Sequence, residues 1–300
     1  MDRFLGKIEG TMPGPLVICL AAIHGNEQIG IHAFRNVASA IEKHQIKFSG
    51  KLVGLLGNAK ATASNVRFLD YDLNRCWRQE VLNRVLMGKQ PRQAEDEELR
   101  QLYEIIERES RGNYTFRVMA DLHSTSADKG NFIVISEDEV NHPVIRALKL
   151  PTIIGLDKYL EGTLLDYYHR KGFLSFAFEG GMMGTESVYQ LHTSGLWEIL
   201  DKSGCISHHD HDMEDHYADQ LAKVSAGLPK KLIVKYRESV KKEDGFRMLP
   251  GFHNFQRIKA GQHLAINHRG NILSPMDGLM FMPLYQTEGE DGFFIAEEIN

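Results

Sequence analysis

Cysteine is scarce in this chain. Cys19, Cys76 and Cys205 are the three present in 300 residues, far apart and odd in number, with no CxxC pair. That excludes a disulfide framework and a thiolate zinc site, and it suits inert buried thiols in a reducing compartment. Long apolar runs are missing too. The longest, Leu16 to Ile23, is too short to cross a bilayer, and the N-terminus shows no basic segment followed by an apolar signal core, so the cytoplasm is the expected location. No excess of positive charge exists: 35 Lys and Arg stand against 40 Asp and Glu, a net −5, which argues against a nucleic-acid binder. Glycine-rich phosphate loops, internal repeats and low-complexity segments are absent. What remains is an ordinary globular composition, 42% hydrophobic and 25% charged, long enough for one large core and a smaller second domain.

Along residues 1–206 strands alternate with helices, the mark of an α/β layered domain. Leu16 to Ile23 reads as a strand buried on both faces, followed by a helix from Glu27 to about Glu42. Further strands are expected at Leu52–Gly57, Arg117–Ala120, Asn131–Ile135, Thr152–Ile154 and Leu174–Phe178, with helices at Ala94–Ser110 and Ser187–Leu200. The acidic run Glu95 to Glu98 reads as a solvated first helical turn. From 207 to 300, after a helix near Asp215–Val224, short β-like runs separated by Gly, Pro and Asn predict a small all-β, barrel-sandwich-like domain.

Four segments carry chemistry. His24-Gly-Asn-Glu27 ends the first buried strand, at the edge where open α/β sheets place their ligands, and a His and a Glu three apart at such a turn can face one metal ion. Asp121-Leu-His123 ends another strand, so His123 can supply a third ligand and Asp121 can orient a ligand histidine. Glu179, beside Gly180 and Gly181, closes a third apolar run and is placed to act as a general base. Arg67 and Asp72-Leu-Asn74-Arg75 suit an anionic substrate, because a guanidinium binds carboxylate through a planar fork. Each also has an ordinary reading: a capping Asp, a satisfied core His, a salt-bridged Glu, surface arginines.

Taken together in chain order, His24-x-x-Glu27, Asn58-x-x-Ala61, Arg67, Asp72-Leu-Asn74-Arg75, Asp121-Leu-His123 and Glu179 resemble the succinylglutamate desuccinylase/aspartoacylase family. The resemblance implies a zinc carboxypeptidase-like mixed sheet flanked by helices, with residues 1–206 as the zinc-dependent hydrolase domain and residues 207–300 shaping the active-site entrance. It implies one zinc per chain, held by His24, Glu27 and His123. Glu179 corresponds to the general base, Arg67 to the arginine that polarises the scissile carbonyl, and Asn74 and Arg75 to the pair that binds a substrate carboxylate. Arg170 and Tyr285 correspond more loosely to further substrate-binding residues. The implied activity is hydrolysis of the amide bond of a small anionic N-acyl amino acid. A metallocarboxypeptidase acting on small peptides and a non-catalytic zinc-binding module are the alternatives. One departure stands out: many family members follow Asp-Leu-Asn-Arg with a Phe-Pro-Gly-like turn, whereas this chain continues Cys76-Trp77-Arg78.

Lys259–Ala265 and Asn271–Gly278 resemble segments of lipoyl- and biotinyl-like domains, but the hairpin near His268-Arg269-Gly270 offers no lysine for modification. His208-His209-Asp210-His211 looks metal-like, yet consecutive residues converge poorly on one ion, and a solvated loop is expected. Tyr167-Tyr168-His169 lies close to the expected site. No nucleic-acid or membrane partner is expected, and the sequence leaves homo-oligomerisation open.

Overall fold

A computed structural model describes residues 2–88, 90–125, 130–207, 214–286 and 289–299; the His208–His211 cluster lies outside them. In chain order the strands and α-helices are β1 (Phe4–Glu9), β2 (Met12–Ala21), α1 (Ile29–Lys43), β3 (Ser49–Leu56), α2 (Ala59–Ser64), α3 (Gln79–Met87), α4 (Ala94–Glu109), β4 (Arg117–Thr125), β5 (Asn131–Ile135), α5 (Pro143–Ala147), β6 (Thr152–Ile154), α6 (Leu164–His169), β7 (Leu174–Met182), α7 (Glu186–Ser203), α8 (Glu214–Val224), β8 (Lys231–Ser239), β9 (Arg247–Met248), β10 (Arg257–Ile258), β11 (His263–Asn267), β12 (Gly270–Leu273), β13 (Gly278–Phe281) and β14 (Asp291–Glu298).

Eleven strands form one mixed sheet in the order β1-β3-β2-β4-β7-β5-β6-β8-β14-β13-β10. β3, β2, β4 and β7 run parallel, and β5 turns antiparallel against β7. The alternation within β2 shows why its run of apolar residues is unbroken. Val17, Cys19 and Ala21 join the core beneath α1, α5, α7 and α8, while Leu16, Ile18 and Leu20 join the core beneath α3, α4 and α6. A strand covered on both faces has no polar side to show.

The region after residue 230 is β-rich, as its short Gly- and Pro-punctuated runs predict. It does not stand apart from the first half, however. β6 pairs in parallel with β8, so β8, β14, β13 and β10 continue the large sheet, and β9, β11 and β12 make a small second sheet. α8, although it lies beyond residue 206, packs with the helices of the first half through Tyr217 and Leu221. Among the described residues no helix is long and apolar enough to cross a membrane.

One expectation is overturned. The acids that open α4 are not solvated: Glu95, Asp96 and Glu98 are buried. Each is satisfied internally, which is what makes its burial tolerable. Glu95 accepts hydrogen bonds from the backbone N–H groups of Leu69, Asp70 and Tyr71 and from Asn58 Nδ2. Asp96 holds both terminal nitrogens of Arg84 at 2.8 and 2.9 Å, and Glu98 accepts from Arg3 and from the Ala59 N–H. The loop that carries Arg67 and Asp72 is thus anchored to the start of α4.

Candidate active site

The C-terminal ends of β2, β4 and β7 converge. β2 stops at Ala21, and Ala22 takes a left-handed backbone conformation, φ 57°, which turns the chain sharply before His24. Gly25 lies against the backbone of Ala61, where an added Cβ would come within 2.2 Å of the Ala61 carbonyl carbon, so only glycine fits there. Its N–H donates to the Arg67 carbonyl at 3.0 Å. Glu27 follows, just before α1. In β4 the strand runs on through Asp121 and His123, past the expected end at Ala120, and its parallel register with β7 sets His123 beside Glu179.

The structure brings His24, Glu27 and His123 together as a buried group whose ligand-type atoms lie within 4.8 Å of one another. His24 Nδ1 is 3.0 Å from Glu27 Oε1, and His123 Nδ1 is 3.2 Å from Glu27 Oε2. The opposite ring nitrogens are tied down by other carboxylates: His24 Nε2 lies 3.2 Å from Asp72 Oδ1 and His123 Nε2 lies 2.8 Å from Asp121 Oδ2. Both Nδ1 atoms therefore face the same point. Glu27 Oε2 also accepts the Ser124 N–H at 2.8 Å. Burial alone would raise the Glu27 carboxyl, but His24 and His123 outweigh it and hold the group well below the usual carboxylate range. His123 runs the other way: burial would lower it, and Asp121 and Glu27 raise it well above its ordinary value.

Two imidazoles and a carboxylate, each imidazole braced on its far side by an acid, form a donor set suited to zinc. Glu179 completes the group. It is 5% exposed, and its Oε2 has no hydrogen-bond partner. Burial pushes its carboxyl up to about 7; His123 opposes the shift and Glu27 adds to it.

Arg67 sits above this group, with Nη2 3.1 Å from Asp72 Oδ2 and Nη1 3.5 Å from Glu27 Oε1. Asp72 caps the turn that follows by accepting the Asn74 N–H at 2.8 Å. Asn74 lines the cavity with its Oδ1 tied to the Leu164 N–H, which leaves its Nδ2 donors for a ligand. Arg75 lines the cavity as well, and its Nη2 is 3.0 Å from Asp291 Oδ2. The cavity over the site, about 170 Å³, is walled by residues of both halves of the chain, including Leu156, Met282, Leu284 and Asp291.

Residues 13–190 match the family described as succinylglutamate desuccinylase/aspartoacylase catalytic domain. The chain belongs to that family. Its sequence is 30% identical over 129 residues to a probable aspartoacylase from Acaryochloris marina, covering 42% of this chain and 39% of that protein. A probable aspartoacylase from Nostoc is 29% identical over 126 residues, covering 41% of this chain and 40% of that protein. The matched stretch is thus under half the length of these curated relatives. The fold is that of a succinylglutamate desuccinylase/aspartoacylase from Rhodobacter sphaeroides, with a TM-score of 0.68 at 16% identity over 98% of this chain and 88% of that one. A product-bound ectoine utilization protein from Ruegeria pomeroyi gives 0.66 at 15% identity, covering 97% and 87%.

Two residues that the family resemblance pointed to do not reach the cavity. Arg170 follows the last residue of α6, with its side chain 75% exposed and bonded to Asp166, one helical turn back; Asp166 is the residue that lines the cavity. Tyr285 is exposed and its hydroxyl donates to the carbonyls of Leu249 and Phe252, while Leu284 and Gln286 on either side face the cavity. In Tyr167-Tyr168-His169 none lines the cavity: Tyr168 is buried in the core beneath α6, and His169 pairs with Asp138 and Glu139. The sequence marks Asp72 within a motif without its bracing role, Glu95 as part of a solvated turn, and Asp291 not at all. Asp72 had a local signal, as a capping residue before the Asn74-Arg75 turn. Asp291 had none, because it meets Arg75 across 216 residues of chain.

Proposed function

We propose that this protein hydrolyses the amide bond of an N-acyl amino acid, with one zinc ion held by His24, Glu27 and His123. The observation that carries the reading is the buried carboxylate of Glu179, with its Oε2 unpartnered, beside the His24–Glu27–His123 group. A binding site alone has no use for a buried carboxylate oxygen left without a partner, whereas a proton-transfer group does. Zinc, when bound, supplies Lewis acidity and lowers the pKa of water.

The chain's own groups then divide the work. Glu179 accepts a proton from the attacking water and returns it to the leaving nitrogen; the C–N bond breaks as the water oxygen bonds to the carbonyl carbon, giving a carboxylic acid and an amine. Burial raises the Glu179 carboxyl, which favours its taking the proton of the water and holding it for the leaving nitrogen. Arg67, fixed by Asp72, is a preorganised cation for the carbonyl oxygen as it gains negative charge. Arg75 and the Asn74 amide bind the substrate carboxylate and set the amide over Glu179.

A panel of N-acyl amino acids and dipeptides, assayed with zinc, after chelation, and with Glu179→Gln, tests the reading. Cleavage of N-acyl amino acids that is lost on chelation and in the variant is the expected result. A zinc-loaded protein that cleaves dipeptides alone, or no amide at all, overturns it.

A further inference from the structure

The charges around the cavity set a limit on what it can accept. Two arginines line it, Arg67 and Arg75, and each already carries a carboxylate of the protein. Arg67 is paired with Asp72 at 3.1 Å. Arg75 is paired with Asp291 at 3.0 Å, and the other oxygen of Asp291 takes Arg237 Nε at 2.6 Å. Arg75 Nη1 also donates to the Asn74 carbonyl, at 3.0 Å. Its Nε is buried, and one further N–H on each of Nη1 and Nη2 remains for a ligand.

Past Arg75 the wall offers no free cation among the described residues. Asp166 is held by Arg170, and Asp157 and Glu290 line the cavity with no ion-pair partner among the described residues. The rest of the surface is largely apolar, formed by Val134, Leu156, Leu160, Leu165, Met282 and Leu284. A carboxylate placed there would lose water, meet neutral donors alone, such as Ser136, Thr163 and Gln286, and face two acids.

We infer that the substrate carries a single carboxylate, taken by Arg75, with an uncharged apolar remainder: an N-acyl derivative of an apolar amino acid rather than of a dicarboxylic one. Asp291 is the positioning residue that sets this limit. It fixes the Arg75 guanidinium from β14 and, by pairing with it, takes a donor and part of the attraction that a second carboxylate would need. The inference rests on the deacylase reading above and narrows it.

The test compares kcat/KM of the zinc-loaded protein for N-acetylmethionine and N-acetylglutamate, which differ little in length and differ in charge. The expected preference for N-acetylmethionine is at least about tenfold, which is about 1.4 kcal/mol. Asp291→Asn keeps a hydrogen-bond acceptor for Arg75 but drops the charge, and should narrow that ratio by lowering KM for N-acetylglutamate with kcat little changed. Leu160→Arg, which adds a cation on the apolar wall, should narrow it by a separate route. Turnover that favours N-acetylglutamate in the wild type, or a ratio that neither variant moves while both remain folded, overturns the inference and leaves the deacylase reading standing. No turnover of any N-acyl amino acid by the zinc-loaded protein overturns that reading, and this one with it.

Discussion

His123 and Glu179 lie side by side on parallel neighbouring strands, β4 and β7, in direct register. Backbone hydrogen bonding sets the spacing between His123 and the proposed base, so loop conformation has little part in it. The alternation of the two strands puts both side chains on one face.

Replacement of Glu179 by Gln should leave fold and metal binding in place and lower turnover by on the order of 10²–10⁴-fold. The shape is conserved, and a buried carboxylate with an unpartnered oxygen is removed, so Tm should not fall. Metal content, Tm and turnover measured on one preparation check this. Turnover near that of the wild type with zinc fully bound would remove Glu179 from the mechanism.

Asp121 braces His123 from behind at 2.8 Å. Asp121→Asn should weaken zinc affinity by about 10–100-fold while zinc at saturation restores most of the activity. Competition with a chelator of known affinity measures the first, and a zinc titration of turnover the second. An unchanged affinity would mean that the His123 ring is held by packing alone.

Glu95 gathers three backbone N–H groups of the loop between Arg67 and Asp72, together with the Asn58 amide. Hydrogen bonds to a buried charge contribute about 1.5–3 kcal/mol each, and their loss leaves donors unsatisfied. Glu95→Ala should therefore destabilise the protein by at least about 3 kcal/mol. In the folded fraction kcat/KM should fall, because Arg67 and Asp72 lose their support. Urea unfolding and kinetics below the transition check both. A variant of wild-type stability would show that the loop is held elsewhere.

Acid should weaken the fold through Asp96 and Glu109. Burial would raise both carboxyls, but Arg84 and the Arg92 N–H hold Asp96 at about 2, and Lys51 and Lys7 hold Glu109 at about 2. Unfolded Asp and Glu titrate near about 4. Because the folded values lie lower, the stabilisation is complete above about pH 4 and is lost as pH falls towards about 2. Unfolding free energy measured across that window should drop with decreasing pH, and less steeply in Arg84→Met. Parallel profiles for variant and wild type would remove Asp96 from the account.

Much of this was legible in the sequence, for a reason visible in the strands. Apolar runs such as Leu16–Ile23 and Leu174–Phe178 mark strands covered on both faces, and the polar residues that end them stand at the sheet edge where ligands bind. The same reasoning cut β4 and β7 short, because Asp121, His123 and Glu179 do not look like strand residues; they are in strand conformation because neighbouring strands pair with them. Glu95 was misread because an acid at a helix start resembles a solvated cap until its partners, dozens of positions earlier, are seen. Arg170 and Tyr285 fell one helical turn and one residue from positions that do face the cavity, an interval that local pattern does not resolve.

β14, residues 291–298, is hydrogen-bonded between β8 and β13 inside the large sheet, although both neighbours precede it in the chain. During synthesis the layer therefore cannot close until those residues have left the ribosome. Until then β8 presents a bare edge, and Arg75 and Arg237 both wait for Asp291. The Asp291 side of the cavity is thus the last part of the sheet to leave the ribosome, well after the strand ends that carry His24, His123 and Glu179.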